Sequence, residues 1–203
     1  MPPAEYRSEN EVEINRSHFI TWIGRTDTEA EARRFISQAT STYPDARHHC
    51  TAFIVDDGLT AHNSDNGEPS GTAGTPMMSA LMQADVANIT AIVTRYFGGI
   101  KLGTGGLTRA YGGCVSAAIA SMPRVVREVR QIWAVDLPYA DSGWMQEELL
   151  RAGVTLVGIS YDDRAVRLNF TYSDVPTELL ARITRGLIAP TPASTQVLEI
   201  PID

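Results

Sequence analysis

The chain has 203 residues, of which 43% are hydrophobic and 20% are charged, and its formal net charge is −7. This composition is typical of a globular protein and excludes disorder or a fibrous repeat as its main organisation. The acidic balance also disfavours broad non-specific binding to nucleic acid, which depends on neutralising phosphates. No apolar run approaches the roughly 18 residues of a membrane span, and the N-terminus has no basic-then-apolar leader pattern. We therefore expect a cytoplasmic protein without a membrane partner.

The first part of the chain alternates extended and helical patterns. Glu29 and Glu31 are typical of the first turn of a helix, and Pro44 is expected to end that helix. The glycine-rich stretch over residues 56–75 is expected to be a loop, and a loop this long is unusual unless it is functional. The predicted elements are an extended segment over 12–24 with a break at 15–17, a helix to 43, a strand over 50–55, a helix from 75, a strand over 89–97 and a helix of small residues over 103–121.

The remainder of the chain follows a pattern known from one common fold. After Pro123 the predicted order is strand, helix, strand, strand, helix, strand, which is the ferredoxin-like split βαβ motif. The predicted elements are a strand over 125–137, a helix over 142–152, strands over 154–161 and 165–171, a helix over 175–186 and a strand over 196–200. We therefore predict an α+β protein with an N-terminal α/β domain over residues 1–124 and a ferredoxin-like domain over residues 125–203.

Cys50 and Cys114 are the two cysteines of the chain, and no CxxC motif is present. Cys50 begins a predicted apolar strand and Cys114 lies in the predicted helix of small residues. Both are typical buried environments for an unpaired cysteine. We expect free thiols and a reducing compartment.

A strand, a glycine loop and a helix follow one another between Ile92 and Tyr111. Free N–H groups at the start of the helix favour an anion, and glycines allow a phosphate to approach the backbone. The loop matches neither the Walker A motif nor the dinucleotide GxGxxG motif. The alternative is that the glycines only permit tight turns and close packing. The candidate phosphate ligands are Arg95, Gly98, Gly99, Lys101, Gly103, Gly105, Gly106 and Arg109.

His48, His49 and His62 form a second cluster of candidate functional residues. Their spacing matches no metal signature, and adjacent histidines on a strand point to opposite faces. We therefore predict no metal site. The alternative is a buried, hydrogen-bonded His49 beside an exposed His48.

The loop over residues 64–74 combines acids, hydroxyls and glycines. A general base at Asp65 or Glu68 and a nucleophile at Ser70 or Thr72 would need a supporting motif, and no GxSxG elbow is present. The alternative is a loop built on Asx turns and a helix cap. We predict no catalytic residue and no cofactor, with Ser70 and Thr72 as neutral donors to a phosphate. The predicted rim of the site, above a floor formed by the glycine loop, consists of His48, His49, Asp65 and Glu68.

Three of these segments together resemble the signatures of the IMPACT/YigZ family. They are Asp45 to Cys50, Ser64 to Met77, and Arg95 to Tyr111, with Ser17-His18-Phe19 at the family's N-terminal Ser-basic-Phe position. His18 replaces the usual Lys or Arg, and Asn66 stands where Asp is common, so both positions lose charge.

The resemblance implies a fold and a field of function. It implies an N-terminal domain related to domain 2 of a small-subunit ribosomal protein and a C-terminal domain similar to the last domain of elongation factor G. Eukaryotic relatives modulate the starvation-responsive control of translation initiation. They carry an additional N-terminal partner-binding domain, so that interaction does not transfer directly to this chain.

Three hypotheses for function follow. The preferred one is a non-enzymatic, translation-associated protein that binds RNA, the ribosome or another phosphate-bearing ligand where loop 98–106 meets loop 64–74. The second is an enzyme that acts on a phosphorylated small molecule or nucleotide. The third is a module that binds another protein, such as a translation-control factor, through the ferredoxin-like sheet. Arg95 has an alternative role as an internal clamp paired to Asp65 or Glu68. The oligomeric state does not follow from the sequence.

Overall fold

The computed structural model describes residues 1–202. Over these residues the chain forms two β-sheets and five α-helices, so the predicted α+β class is confirmed. The chain divides into two compact units. The first comprises residues 1–126 with residues 201 and 202, and the second comprises residues 127–200. No helix within residues 1–202 is long and apolar enough to cross a lipid bilayer.

The first unit is a five-stranded sheet with helices on both faces. Its elements are β1 (Arg7–Ile14), β2 (Ser17–Arg25), α1 (Glu29–Thr42), β3 (His48–Val55), β4 (Thr60–Ser64), α2 (Gly74–Gln83), β5 (Ile89–Tyr96) and α3 (Gly103–Ala120). The strand order is β1-β2-β5-β3-β4, and each pair of neighbours is antiparallel. This order places β5, which carries Arg95, between β2 and β3.

Both faces of the central strands are buried, which explains why β3 and β5 are nearly continuous apolar runs. On one face, Phe35 of α1 packs against Ile92 of β5. On the other face, Met77 of α2 and Tyr111 of α3 pack in the main core. Thr28 caps the start of α1 by accepting from the Glu31 N–H, and the Glu31 side chain accepts in turn from the Asp27 N–H.

The stretch over residues 56–75, predicted to be a loop, contains the short strand β4. A 3₁₀ turn over Asp56–Gly58 connects β3 to β4 as a hairpin, with Asp57 and Gly58 at positive φ. Strand β4 lies at the edge of the sheet and is largely exposed. Its polar sequence therefore lacks the apolar alternation by which buried strands are recognised.

The second unit has the predicted βαββαβ order. Its elements are β6 (Arg124–Pro138), α4 (Ser142–Arg151), β7 (Thr155–Tyr161), β8 (Ala165–Thr171), α5 (Thr177–Thr184) and β9 (Thr191–Ile202). The strands of its sheet are ordered β7-β8-β6-β9. Its core packs Leu137 and Phe170 of the sheet with Leu149 of α4 and Leu180 of α5.

Both cysteines are buried and unpaired, which confirms the expected free thiols. Burial raises the pKa of the Cys50 thiol to about 12, and it also raises the pKa of Cys114. Because the thiolate is the reactive form, both cysteines are expected to be inert in the folded protein.

Candidate functional site

A cleft of about 380 Å³ lies where the loop after β4 meets the loop before α3. It therefore combines segments that are distant in sequence but are brought together by the sheet order. The lining residues are Arg47, His48, Glu68, Pro69, Arg95, Phe97, Lys101, Leu102, Gly103, Thr104 and Leu107.

An ion pair between Arg95 and Glu68 closes the inner end of this cleft. Arg95 Nη1 donates to Glu68 Oε1 over 2.7 Å, and the two side chains are 7% and 4% exposed. Glu68 Oε1 also accepts from the Tyr111 hydroxyl at 2.8 Å, and Arg95 Nη2 donates to Ser17 Oγ at 3.3 Å. Arg95 thus holds β2, β5 and the loop over 64–74 together, in the manner of the internal clamp that the sequence left as an alternative.

Aromatic rings flank the guanidinium of Arg95. Its Cζ atom lies 5.4 Å from the ring centroid of Phe19 and 5.5 Å from that of Phe97, within the range of a cation–π contact. The Nε of Arg95 is buried without a hydrogen-bond partner among residues 1–202. Phe97 is 55% exposed, so its ring is partly open to solvent where it lines the cleft.

Asp65 acts as the cap of α2. Its Oδ1 accepts from the N–H groups of Ala73 at 2.9 Å and Gly74 at 2.8 Å, and its Oδ2 accepts from Gly71 at 2.8 Å. Burial by itself would raise the pKa of Asp65, but the three backbone donors outweigh it and hold the pKa below its ordinary value. Both carboxylate oxygens are engaged, so Asp65 is a structural anion rather than a base.

The predicted arrangement, with Asp65 and Glu68 at the rim above a glycine floor, is corrected by the structure. Glu68 lies at the inner end because the buried guanidinium of Arg95 compensates its charge, and Asp65 is drawn to the start of α2 by backbone donors. The charged groups nearer to solvent are instead the cations Arg47 and Lys101.

His48 and His49 brace the loop over 64–74 through Asn66. The His49 N–H donates to Asn66 Oδ1 at 2.8 Å, and His48 Nδ1 donates to the Asn66 carbonyl at 2.9 Å. The ring of His49 is hydrogen-bonded to Thr94 Oγ1 at 3.0 Å, and burial lowers the pKa of that ring. His48 lines the cleft, whereas His49 lies on the other side of β3 in a separate groove. No group of three or more His, Cys, Asp or Glu side chains within residues 1–202 could hold a metal ion.

Two cations at the cleft have no ion-pair partner in the part of the chain that the structure describes. Lys101 and Arg47 are both exposed, and neither makes a side-chain hydrogen bond there. Lys101 was among the predicted ligands, whereas Arg47 and the aromatic Phe97 were not. Arg47 directly precedes His48, and Phe97 directly precedes Gly98. Because His48 and Gly98 were both predicted site residues, this adjacency could have identified Arg47 and Phe97.

Several predicted ligands lie outside the cleft. Arg109 lies in a different groove, between α2 and α3. Thr72 is buried and donates its hydroxyl to the Pro69 carbonyl, and Ser70 is exposed but does not line the cleft. The predicted glycines that do not line it are Gly98, Gly99, Gly105 and Gly106.

The glycines nevertheless shape the approach to the cleft. An added Cβ at Gly98 would lie 1.8 Å from the Arg16 carbonyl oxygen, so only glycine permits the segment after β5 to pass this close to the β1–β2 turn. Gly103 has a φ of +70° and begins the 18-residue helix α3, whose first turn has no side-chain cap and no acidic residue. Gly103 and Thr104 line the cleft, so the start of α3 borders it.

Comparison with known proteins places the chain in a family. The model of the Impact N-terminal domain matches residues 15–119. The Escherichia coli (strain K12) protein named IMPACT family member YigZ is 49% identical over 113 residues, which span 54% of this chain and about half, 55%, of that protein. The Bacillus subtilis (strain 168) protein named IMPACT family member YvyE is 40% identical over 157 residues, 76% of this chain and 72% of that protein.

Solved structures give a likeness over nearly the whole chain. A protein described as hypothetical superposes with a TM-score of 0.56 at 32% identity, covering 96% of each chain. The two-domain translational regulator Yih1 superposes with a TM-score of only 0.37 at 18% identity, over 57% of this chain and 49% of that chain. The family model and the bacterial relatives together show that the chain belongs to the IMPACT family.

Proposed function

We propose that the protein is a cytoplasmic, translation-associated regulator that binds a short single-stranded segment of RNA in the cleft between the two loops. The observation that carries the proposal is the combination of unpaired cations, an exposed aromatic ring and an uncapped helix start around one cleft. The RNA is either free or exposed on the ribosome. The protein acts by binding rather than by catalysis.

The charges at the cleft support contact with phosphate. Lys101 and Arg47 have no ion-pair partner within residues 1–202, so binding a phosphate would not require breaking an existing pair. The first turn of α3 adds N–H donors and the positive end of the helix dipole. Because Glu68 is neutralised by Arg95, the inner carboxylate does not offset these cations.

Phe97 supports an RNA ligand over a simple anion. Single-stranded RNA is commonly bound by stacking its bases on exposed aromatic rings beside a basic groove. The ring of Phe97 borders the same cleft as Lys101. The net charge of −7 favours such a compact contact over a long one, because an acidic surface repels an extended phosphate backbone.

The link to translation comes from the family. The resemblance of the N-terminal unit to a ribosomal-protein domain, and of the C-terminal unit to the last domain of elongation factor G, supports action near the ribosome. We propose that the domains divide near residue 124, with the RNA-binding cleft in the first.

The enzymatic hypothesis is weakened because Asp65, one of its two candidate bases, has a structural role. Both oxygens of Asp65 accept backbone N–H groups at the start of α2, and Glu68 is paired to Arg95. Ser70 and Thr72, its candidate nucleophiles, do not line the cleft. Within residues 1–202, no feature of the second sheet favours a protein partner over RNA.

Fluorescence anisotropy with labelled single-stranded RNA, at several salt concentrations, tests the proposal. We expect Lys101→Ala, Arg47→Ala and Phe97→Ala each to weaken binding. Arg109→Ala is the matched control, because it removes the same charge from an exposed position in another groove. Co-sedimentation of the same variants with ribosomes tests whether ribosomal RNA is bound in the same way. Equal weakening by Arg109→Ala, or no RNA binding by the wild type, would contradict the proposal.

A further inference from the structure

We propose that the cleft accepts one unstacked guanine base, which presents its Watson–Crick N–H groups to Glu68 while its phosphates lie toward Lys101 and Arg47. This inference rests on the proposed binding of single-stranded RNA. It goes further by naming the base and the direction in which the nucleotide enters.

Glu68 has unused capacity to accept hydrogen bonds. An ionised carboxylate offers about four lone-pair sites on its two oxygens. The bonds from Arg95 and Tyr111 both fall on Oε1, so Oε2 has no hydrogen-bond partner among residues 1–202. Glu68 is nearly buried yet lines the cleft. Oε2 is not among the fully buried unpartnered atoms within residues 1–202, so it is accessible from the cleft to a ligand that supplies N–H groups.

The charge at the inner end of the cleft selects a neutral donor. Arg95 already compensates Glu68 at 2.7 Å, so a second cation such as an amine would bring one positive charge too many. A phosphate has only acceptor oxygens to present to Oε2, so it makes no hydrogen bond there and is attracted outward to Lys101 and Arg47. The ligand should therefore be polarised, with neutral N–H donors inside and negative charge outside. A nucleotide has this arrangement.

The size and walls of the cleft suit a single base. Its volume of about 380 Å³ lies at the lower end of the range for small-molecule sites, so it suits one nucleotide rather than a helix. Leu102 and Leu107 provide apolar walls, and Phe97 provides an exposed ring for stacking.

Among the four bases, guanine fits the carboxylate best. It presents two neighbouring donors, N1–H and the N2 amino group, which can converge on the single oxygen Oε2 as a bifurcated pair. Adenine and cytosine each place a ring-nitrogen acceptor beside their amino group, and that acceptor would face the carboxylate and repel it. Uracil presents one N–H between two carbonyls. Binding of adenine, cytosine or uracil would therefore leave a hydrogen bond unmade or place two acceptors together, and this cost favours guanine over the other bases.

The decisive experiment compares three pentanucleotides on the wild-type protein by anisotropy. The probes are pentauridylate and the same sequence with the central base replaced by guanine or by inosine. Inosine keeps N1–H but lacks the N2 amino group, so we expect the guanine probe to bind about tenfold more tightly than the inosine probe. Glu68→Gln should reduce this ratio toward one, and thermal denaturation of that variant checks its folding.

The outcomes separate this inference from the proposed function. Equal binding of all three probes, with binding still dependent on Lys101, would overturn guanine recognition while leaving RNA binding in place. A guanine preference that persists unchanged in Glu68→Gln would place the base elsewhere and also overturn the inference. Absence of binding by any probe would overturn both proposals.

Discussion

Arg95 Nη1 and Glu68 Oε1 lie 2.7 Å apart although the residues are 27 positions apart in sequence, and both side chains are almost completely buried. Removing one partner of such a pair leaves an uncompensated buried charge. We therefore expect Arg95→Ala to lower the free energy of unfolding by about 3–5 kcal/mol. Urea denaturation measures this loss.

A double variant distinguishes the pair from simple loss of side-chain volume. Because Glu68→Gln removes the charge that Arg95→Ala would strand, the two losses should be clearly less than additive. Arg109→Ala is the control and should change stability by no more than about 0.5 kcal/mol. Full additivity would show that the two side chains do not stabilise each other.

Lys101→Ala should separate binding from stability. The side chain is exposed and unpaired within residues 1–202, so we expect an unchanged urea midpoint. If it forms one charge-assisted hydrogen bond to phosphate, RNA binding should weaken by about 1.5–3 kcal/mol. The slope of log affinity against log salt should fall in magnitude by about 0.7 for the lost contact. A weakened affinity with an unchanged slope would argue against a phosphate contact.

The cap formed by Asp65 should make stability depend on acid pH. Its pKa is lower in the folded state than in the unfolded state, so its contribution is complete above the unfolded pKa and is lost as pH falls through the folded pKa. We expect Asp65→Asn to lower Tm most at neutral pH, and the difference from wild type to shrink below about pH 4. Thermal melts of both proteins across this range test the prediction. A difference that is constant with pH would show that the charge of Asp65 is not involved.

Two glycine substitutions should act in opposite directions. Gly98→Ala would place a Cβ 1.8 Å from the Arg16 carbonyl oxygen, so β5 and the β1–β2 turn would have to separate, and we expect marked destabilisation. Gly113 lies within α3 with open space around its missing side chain, so Gly113→Ala should stabilise the protein by about 0.5–1 kcal/mol. Chemical denaturation compares the two variants. A Gly98→Ala protein as stable as wild type would refute the close approach.

The thiols of Cys50 and Cys114 should be unreactive until the protein unfolds. Burial raises the pKa of both, and Cys50 also donates to the Asp65 carbonyl. An aromatic disulfide reagent should therefore modify neither thiol rapidly under native conditions but both after denaturation without reductant. Failure to detect thiols after denaturation would indicate that they are oxidised.

Much of the fold could be predicted because its signals are local. The βαββαβ order after Pro123 follows from short-range apolar periodicity, and the break before Ser17 coincides with positive φ at Asn15 and Arg16. Strand β4 was missed because an exposed edge strand carries no apolar alternation. The region of the site could also be predicted, because glycines mark where the chain must turn closely.

The sequence by itself determined which residue types were available near the cleft, namely glycines, three basic residues after Ile92, and the acids of loop 64–74. Only the tertiary structure decided their roles. The order β2-β5-β3 buries Arg95 beside Glu68, which no local pattern specifies. Arg109 follows Leu107 by two residues, about 200° around the helix, so it lies on the opposite side of α3 from the cleft. Ion pairing, and the side of a helix that faces a cleft, depend on contacts between segments that are distant in sequence. These contacts pair Arg95 with Glu68 and leave Arg47 and Lys101 without an ion-pair partner within residues 1–202.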